Sequence, residues 1–186
     1  LQQLASFHRN RYDIPVIGIT GSRGKTTVKE WLYQLLQCDE EVLRSPRSFN
    51  SQIGVPLSVW ELDEPDTLAI FEAGISTSGE MQPISNVINP DIAVLTNLGA
   101  EHEEGFPSLA VKAAEKTRLL DSADIAICNI DDTTVYKAVK NLHGIGDRLW
   151  SVSVKNPDAT VYTRAFVNMG DATEIETRLS GAEGPR

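Results

Sequence analysis

Gly18-Ile19-Thr20-Gly21-Ser22-Arg23-Gly24-Lys25-Thr26-Thr27 joins an apolar β-branched run, residues 14–19, to a segment with helical spacing. Glycines at such a junction let backbone N–H groups turn inward on an anion. The N-terminus of the following helix adds partial positive charge. A strand, a glycine-rich turn and a helix opening on Lys-Thr form the context that a phosphate-binding loop requires. In that setting Lys25 would reach the β- and γ-phosphates of a nucleotide, and the Thr26 hydroxyl would ligate Mg²⁺. The spacing is GxxGxxGKT; the common GxxxxGK[ST] pattern would place its first glycine at Ile19, and Gly18 stands one residue early. A glycine-rich turn that merely links strand to helix is the weaker alternative.

Outward from the loop, Val28, Trp31, Leu32, Leu35 and Leu36 recur at helical spacing and predict one buried stripe. Residues 68–71, 92–95 and 125–128 are continuous apolar runs of strand length. Such runs suit parallel strands covered on both faces. Helical candidates lie at 53–62, 79–88, 108–120 and 132–142. This alternation predicts an α/β fold over residues 1–147, a mostly parallel sheet with flanking helices. From residue 148 the pattern changes to short runs separated by turn residues. It predicts antiparallel strands, a β extension of the same domain over residues 148–186.

Composition narrows the function classes. The chain has 186 residues, 41% hydrophobic and 23% charged, the balance of one soluble globular domain. No apolar run approaches the roughly 18 to 20 residues that span a bilayer, and no signal-peptide pattern is present, so no membrane insertion is expected. A net charge of −9 argues against nucleic-acid binding, which needs clustered Lys and Arg. It does not exclude a nucleotide, because a few N–H groups and one lysine hold phosphates locally. Cys38 and Cys128 have no CxxC spacing and read as free thiols in a reducing cytoplasm, Cys128 buried on a strand. The start at Leu1, without a methionine, suggests a piece of a longer polypeptide.

Three further residues carry possible chemistry. Glu72 ends the run 68–71, and strand C-termini form the ligand crevice of doubly wound folds, so it would face the loop and serve Mg²⁺. His102 follows the third apolar run in a loop, where a lone histidine is more often a surface residue than a ligand. Lys116 lies in register with Leu109, Lys112, Ala113, Leu119 and Leu120. A lysine in an apolar stripe usually snorkels to water. The alternative is an amine of lowered pKa that reacts with CO₂, giving an anionic carbamate that can ligate a metal.

These residues, in this order, resemble the central domain of the Mur ligases, enzymes that extend the peptide of bacterial cell-wall precursors. The carrying motifs are the loop at 18–27, Asn-Ser-Gln-Ile-Gly-Val-Pro-Leu at 50–57, Glu-Ala-Gly at 72–74 and Ser-Gly-Glu-Met at 78–81. Thr-Asn-Leu-Gly-Ala-Glu-His at 96–102, Ala-Ala-Glu-Lys at 113–116 and Asn-Ile-Asp-Asp at 129–132 continue the series. The early glycine is the spacing this family uses. Ile-Gly-Val-Pro-Leu, Gly-Glu-Met and His-Glu-Glu-Gly-Phe look most like the members that add D-alanyl-D-alanine. Thr77-Ser78 replaces the Asn-His often found there and is reminiscent of versions fused to an alanine racemase.

The resemblance implies an ATP-dependent ligase that joins D-alanyl-D-alanine to UDP-MurNAc-tripeptide through an acyl phosphate. Thr20, Gly21, Ser22, Arg23, Gly24, Lys25, Thr26 and Thr27 would hold ATP, with Asn129 near the nucleotide. Thr26 and Glu72 would serve one Mg²⁺; Glu72, His102 and a carbamylated Lys116 would surround a second. Asn50 and Ser51 would meet substrate or metal. Family members place a UDP-binding domain before this region and an amine-substrate domain after it. A sister ligase, such as one adding glutamate to folate, is an alternative. So is a nucleotide-binding regulator, although the guanine-reading Asn-Lys-x-Asp string is missing.

Overall fold

The computed structural model describes residues 1–99, 105–170 and 172–180. The elements in chain order are α1 (Gln2–Arg9), β1 (Val16–Thr20), α2 (Lys25–Leu36), β2 (Val42–Arg44), α3 (Gly54–Trp60), β3 (Leu68–Ala73) and α4 (Met81–Ile88). They continue with β4 (Ile92–Leu95), α5 (Leu109–Thr117), β5 (Ile125–Asn129), α6 (Thr133–Lys140), β6 (Leu149–Ser153), β7 (Val161–Asn168) and β8 (Thr173–Leu179). Among these residues eight strands form one sheet, in the order β2-β3-β1-β4-β5-β6-β7-β8. Every neighbouring pair from β2 to β7 is parallel, and β7 with β8 is antiparallel.

β1 lies between β3 and β4, so the chain's path reverses across it. That is a topological switch point, and a ligand crevice opens at the strand C-termini there. The glycine-rich loop leaves β1 at this point, Glu72 stands near the end of β3, and Thr96 follows β4.

β1 and β3 are buried along their whole length. α2 lays Val28, Leu32 and Leu36 on Ile17, Ile19, Leu68 and Ile70. On the opposite face Val55, Val59, Ile84 and Ile88 of α3 and α4 join Val16, Ala69 and Phe71 in the larger core. β4 and β5 depart from the two-sided burial their sequence predicts and alternate between buried and half-buried residues. The reason is that α2 lies over β1, β2 and β3.

Two other expectations are corrected. The stripe on α2 is rotated: Trp31 and Leu35 are 63% and 72% exposed, and Lys29 is 0% exposed. At about 100° per residue, one position is enough to move the buried face off the apolar margin and onto Lys29. The C-terminal strands are not all antiparallel, because β6 adds to β5 in parallel as the next strand of the main sheet. The antiparallel pattern is confined to β7 and β8. The pattern of the sequence does not announce α1. This helix is anchored by Arg9, whose guanidinium donates to the carbonyls of Ile88, Tyr12 and Ile14.

Both cysteines are free, Cys38 exposed and Cys128 buried. Burial pushes the Cys128 thiol up to about 11, which removes its reactive thiolate at neutral pH. At pH 7.5 a disulfide reagent should titrate one thiol in the folded chain and two after denaturation. Two fast-reacting thiols in the folded chain would contradict this placement. No helix among the described residues is long and apolar enough to cross a membrane.

Candidate active site at the switch point

Gly21 and Gly24 take φ of +143° and +79°, which side chains other than glycine rarely adopt. A Cβ on Gly21 would also sit 2.0 Å from Thr96 Oγ1. The loop is braced by the segment after β4. Thr96 Oγ1 donates to Arg23 O at 2.6 Å. Asn97 accepts from Arg23 N at 3.0 Å through Oδ1 and donates to Arg23 O at 3.1 Å through Nδ2. Ser22 N donates to Asn97 O, and Gly99 N donates to Ser22 Oγ at 2.9 Å. Thr96 and Asn97 thus fix the loop's shape, a role that their spacing in the sequence does not announce.

Lys25 opens α2, and its ammonium donates to Gly21 O at 2.9 Å and Ser22 O at 3.2 Å. Lys116 reaches the same carbonyl from α5, with Nζ 3.1 Å from Gly21 O. It is 2% exposed, so it does not snorkel. Two residues that precede Lys116 in α5 fasten the helix to neighbouring segments. Glu115 Oε1 accepts from Gly79 N and Met81 N at the start of α4, and Lys112 donates to Gly99 O.

Glu72 lies inside β3, since the strand runs two residues past the predicted end, and it is 0% exposed. Thr26 Oγ1 donates to its Oε2 at 3.2 Å, and Asn50 Nδ2 approaches the same oxygen at 3.5 Å. Lys29 Nζ stands 3.0 Å from Oε1. The Asn50 side chain occupies the space where a Cβ on Gly74 would lie, 2.6 Å from Asn50 Oδ1. Gly21, Ser22, Lys25, Asn50, Ser51 and Lys116 help line a cleft of about 250 Å³ over the loop.

A hydroxyl and a carboxylate beside a phosphate cradle are hard oxygen donors, the kind Mg²⁺ prefers. Among the described residues no group of three or more His, Cys, Asp or Glu could hold a metal. Thr26 and Glu72 would supply two such donors, leaving places for phosphate oxygens and water, as is usual for Mg²⁺ at nucleotides.

Residues 19–183 match the Mur ligase middle domain family. The chain belongs to this family. It is 37% identical over 138 residues to the UDP-N-acetylmuramoyl-tripeptide–D-alanyl-D-alanine ligase of Borreliella burgdorferi, covering 73% of this chain and 30% of that protein. It is 36% identical over 189 residues to the ligase of the same name from Haemophilus influenzae, covering 96% and 41%. The crystal structure of MurF ligase from Thermotoga maritima in complex with ADP superposes with a TM-score of 0.80 at 25% identity, over 95% of this chain and 40% of that one. The chain spans well under half the length of these relatives.

In this Mur ligase middle domain, Lys25, Thr26, Glu72, Asn50, Ser51 and Lys116 gather around the loop. Thr20 is buried, and its hydroxyl donates to Ala73 O at 3.0 Å, so it secures the root of the loop. Arg23, Gly24 and Thr27 are exposed on the loop and first turn. Ser51 Oγ accepts from Gly54 N at 3.1 Å and starts α3. Asn129 is exposed, and its Oδ1 accepts from Asp131 N. Asp131 ties the ends of β5 and β6 together through Ser153 and Val154 N. Burial would raise its carboxyl, but those bonds and Lys155 hold it below the ordinary value. His102 lies outside the described residues.

Proposed function

We propose that the polypeptide carrying this chain is a cytoplasmic ATP-dependent ligase that joins D-alanyl-D-alanine to UDP-N-acetylmuramoyl-tripeptide. The observation that carries this reading is the convergence on Gly21. Lys25 and Lys116, 91 residues apart by the difference of their numbers, donate to one loop carbonyl, beside a helix whose Thr26 bonds the buried Glu72. The names of the Borreliella and Haemophilus relatives support the substrate pair. The ADP bound to the Thermotoga ligase supports the nucleotide.

A carboxylate resists amide formation at neutral pH because oxide would have to leave. In the proposed reaction a carboxylate oxygen of the tripeptide attacks the γ-phosphorus. The bond from that phosphorus to the β–γ bridging oxygen breaks, giving an acyl phosphate and ADP. The amine of D-alanyl-D-alanine then attacks the acyl carbon, the bond to phosphate breaks, and the amine loses a proton. Loop N–H groups and Lys25 would hold the phosphates and offset the charge that builds in transfer.

Thr26 and Glu72 would hold Mg²⁺, which when bound neutralises phosphoryl oxygens. A second Mg²⁺ would lie with Glu72, His102 and Lys116. An ammonium there would repel a cation, and carbamylation of Lys116 inverts that charge. Asn50 and Ser51 would meet substrate or metal, and Asn129 would approach the nucleotide.

The test is phosphate release from ATP by the polypeptide that carries this chain, with each substrate omitted in turn. Release is expected only with UDP-N-acetylmuramoyl-tripeptide and D-alanyl-D-alanine together. Equal release with a different amino acid or dipeptide in place of D-alanyl-D-alanine would overturn the substrate assignment.

A further inference from the structure

Lys29 lies one helical turn beyond Lys25, and both its side chain and that of Glu72 are 0% exposed. Burying an ammonium–carboxylate pair removes two hydrated charges from water, and a well-packed apolar pair of similar volume is often at least as stable. Val28, Leu32 and Leu36 show that apolar side chains pack against this face of the sheet. The pair is therefore poorly explained as a contribution to stability.

The geometry around it is asymmetric. Lys29 Nζ donates to Ser45 O at 2.7 Å and to Arg47 O, so backbone carbonyls fix the ammonium independently of Glu72. Glu30 Oε1 lies 3.3 Å away on the half-buried side. Glu72 is fixed from its own backbone, because its N–H donates to the hydroxyl of that same Ser45 at 3.2 Å. Its Oε1 is 3.0 Å from Lys29 Nζ and has no other polar partner among the described residues. Oε2 points the other way, to Thr26 and Asn50.

We infer that Lys29 is a positioning residue that occupies Glu72 Oε1, so that the carboxylate meets any divalent cation through one oxygen, Oε2, shared where two cations bind, and the site favours Mg²⁺ over Ca²⁺. This rests on the reading of Thr26 and Glu72 as cation ligands given above. Mg²⁺ takes six ligands in near-ideal octahedral geometry and is served by single carboxylate oxygens. Ca²⁺ accepts six to eight ligands and is often held by both oxygens of one carboxylate. An ammonium locked on one oxygen withholds the two-oxygen mode from the larger ion.

The experiment measures ATP binding by displacement of a fluorescent ATP analogue while Mg²⁺ or Ca²⁺ is titrated, on the polypeptide assayed above. In the wild type, half-maximal binding should require less Mg²⁺ than Ca²⁺. In Lys29→Met the preference for Mg²⁺ should fall about tenfold or more, as Ca²⁺ gains the second oxygen. Loosening of the fold alone would weaken both ions together and leave their ratio unmoved. If Lys29→Met melts below the assay temperature, Lys29→Gln, which is neutral but keeps a donor for the Ser45 carbonyl, should show a fall in the same direction. A folded variant of either kind with the wild-type ratio overturns the role of Lys29 and leaves the nucleotide reading standing. Wild-type protein that binds no ATP at any concentration of either ion overturns both.

Discussion

Replacing Lys25 with alanine is expected to lower ATP-dependent phosphate release by on the order of 10³-fold, the scale of losing one preorganised charge-stabilising donor. The side chain is half-buried, and its described hydrogen bonds go to the carbonyls of Gly21 and Ser22 in its own loop. In this position the ammonium lies over the loop, and a phosphate bound there as proposed would meet it. The loop itself is shaped by Gly21, Gly24, Thr96 and Asn97, so the variant should keep its fold. Phosphate release measured beside far-ultraviolet circular dichroism checks both halves of the expectation. Wild-type turnover in a folded Lys25→Ala protein would remove the loop from the mechanism.

The second large effect is expected at Lys116. A neutral lysine amine adds to CO₂ with formation of an N–C bond and loss of one proton, so a carbamate makes activity depend on dissolved CO₂. Wild-type enzyme stripped of CO₂ should lose turnover and regain it on addition of bicarbonate. Lys116→Met keeps much of the buried bulk and cannot form the carbamate. It should lose at least about 100-fold in turnover, with no response to bicarbonate. Because Lys116 also bonds Gly21 O, nucleotide affinity should be measured in the same variant, to separate a loosened loop from a lost anion. A fully active Lys116→Met protein would exclude the carbamate.

The proposed reaction would place unequal demands on the elements that carry it. Glu72 comes from a strand buried on both faces, with its backbone bonded to Ser45 and its two oxygens facing different partners. A carboxylate held this way has little freedom to follow a cation of the wrong size. Lys116 depends on the placing of a whole helix, which Glu115 and Lys112 fasten to the segments after β3 and β4. Disturbing either of those bonds should loosen the site without touching a ligand.

The sequence by itself determined the parts whose physics is local. Ten consecutive residues specify the glycine-rich loop, because glycine torsional freedom, the helix terminus and the Lys25-Thr26 pair all act within two turns of chain. Alternating apolar runs specify strands and helices, because burial with a period of two or 3.6 residues is a property of each segment. Glu72 was legible as an acid at a strand end for the same reason. Tertiary structure alone decided which face of α2 is buried, and so exposed Trp31 and sank Lys29 beside Glu72. It also decided that β6 joins the sheet in parallel and that β4 and β5 are covered less on one face. Lys116 meets a carbonyl 95 residues earlier in the chain. Contacts of that kind depend on strand order and helix rotation, which periodicity does not encode, because a segment's own pattern is the same whichever neighbour it meets.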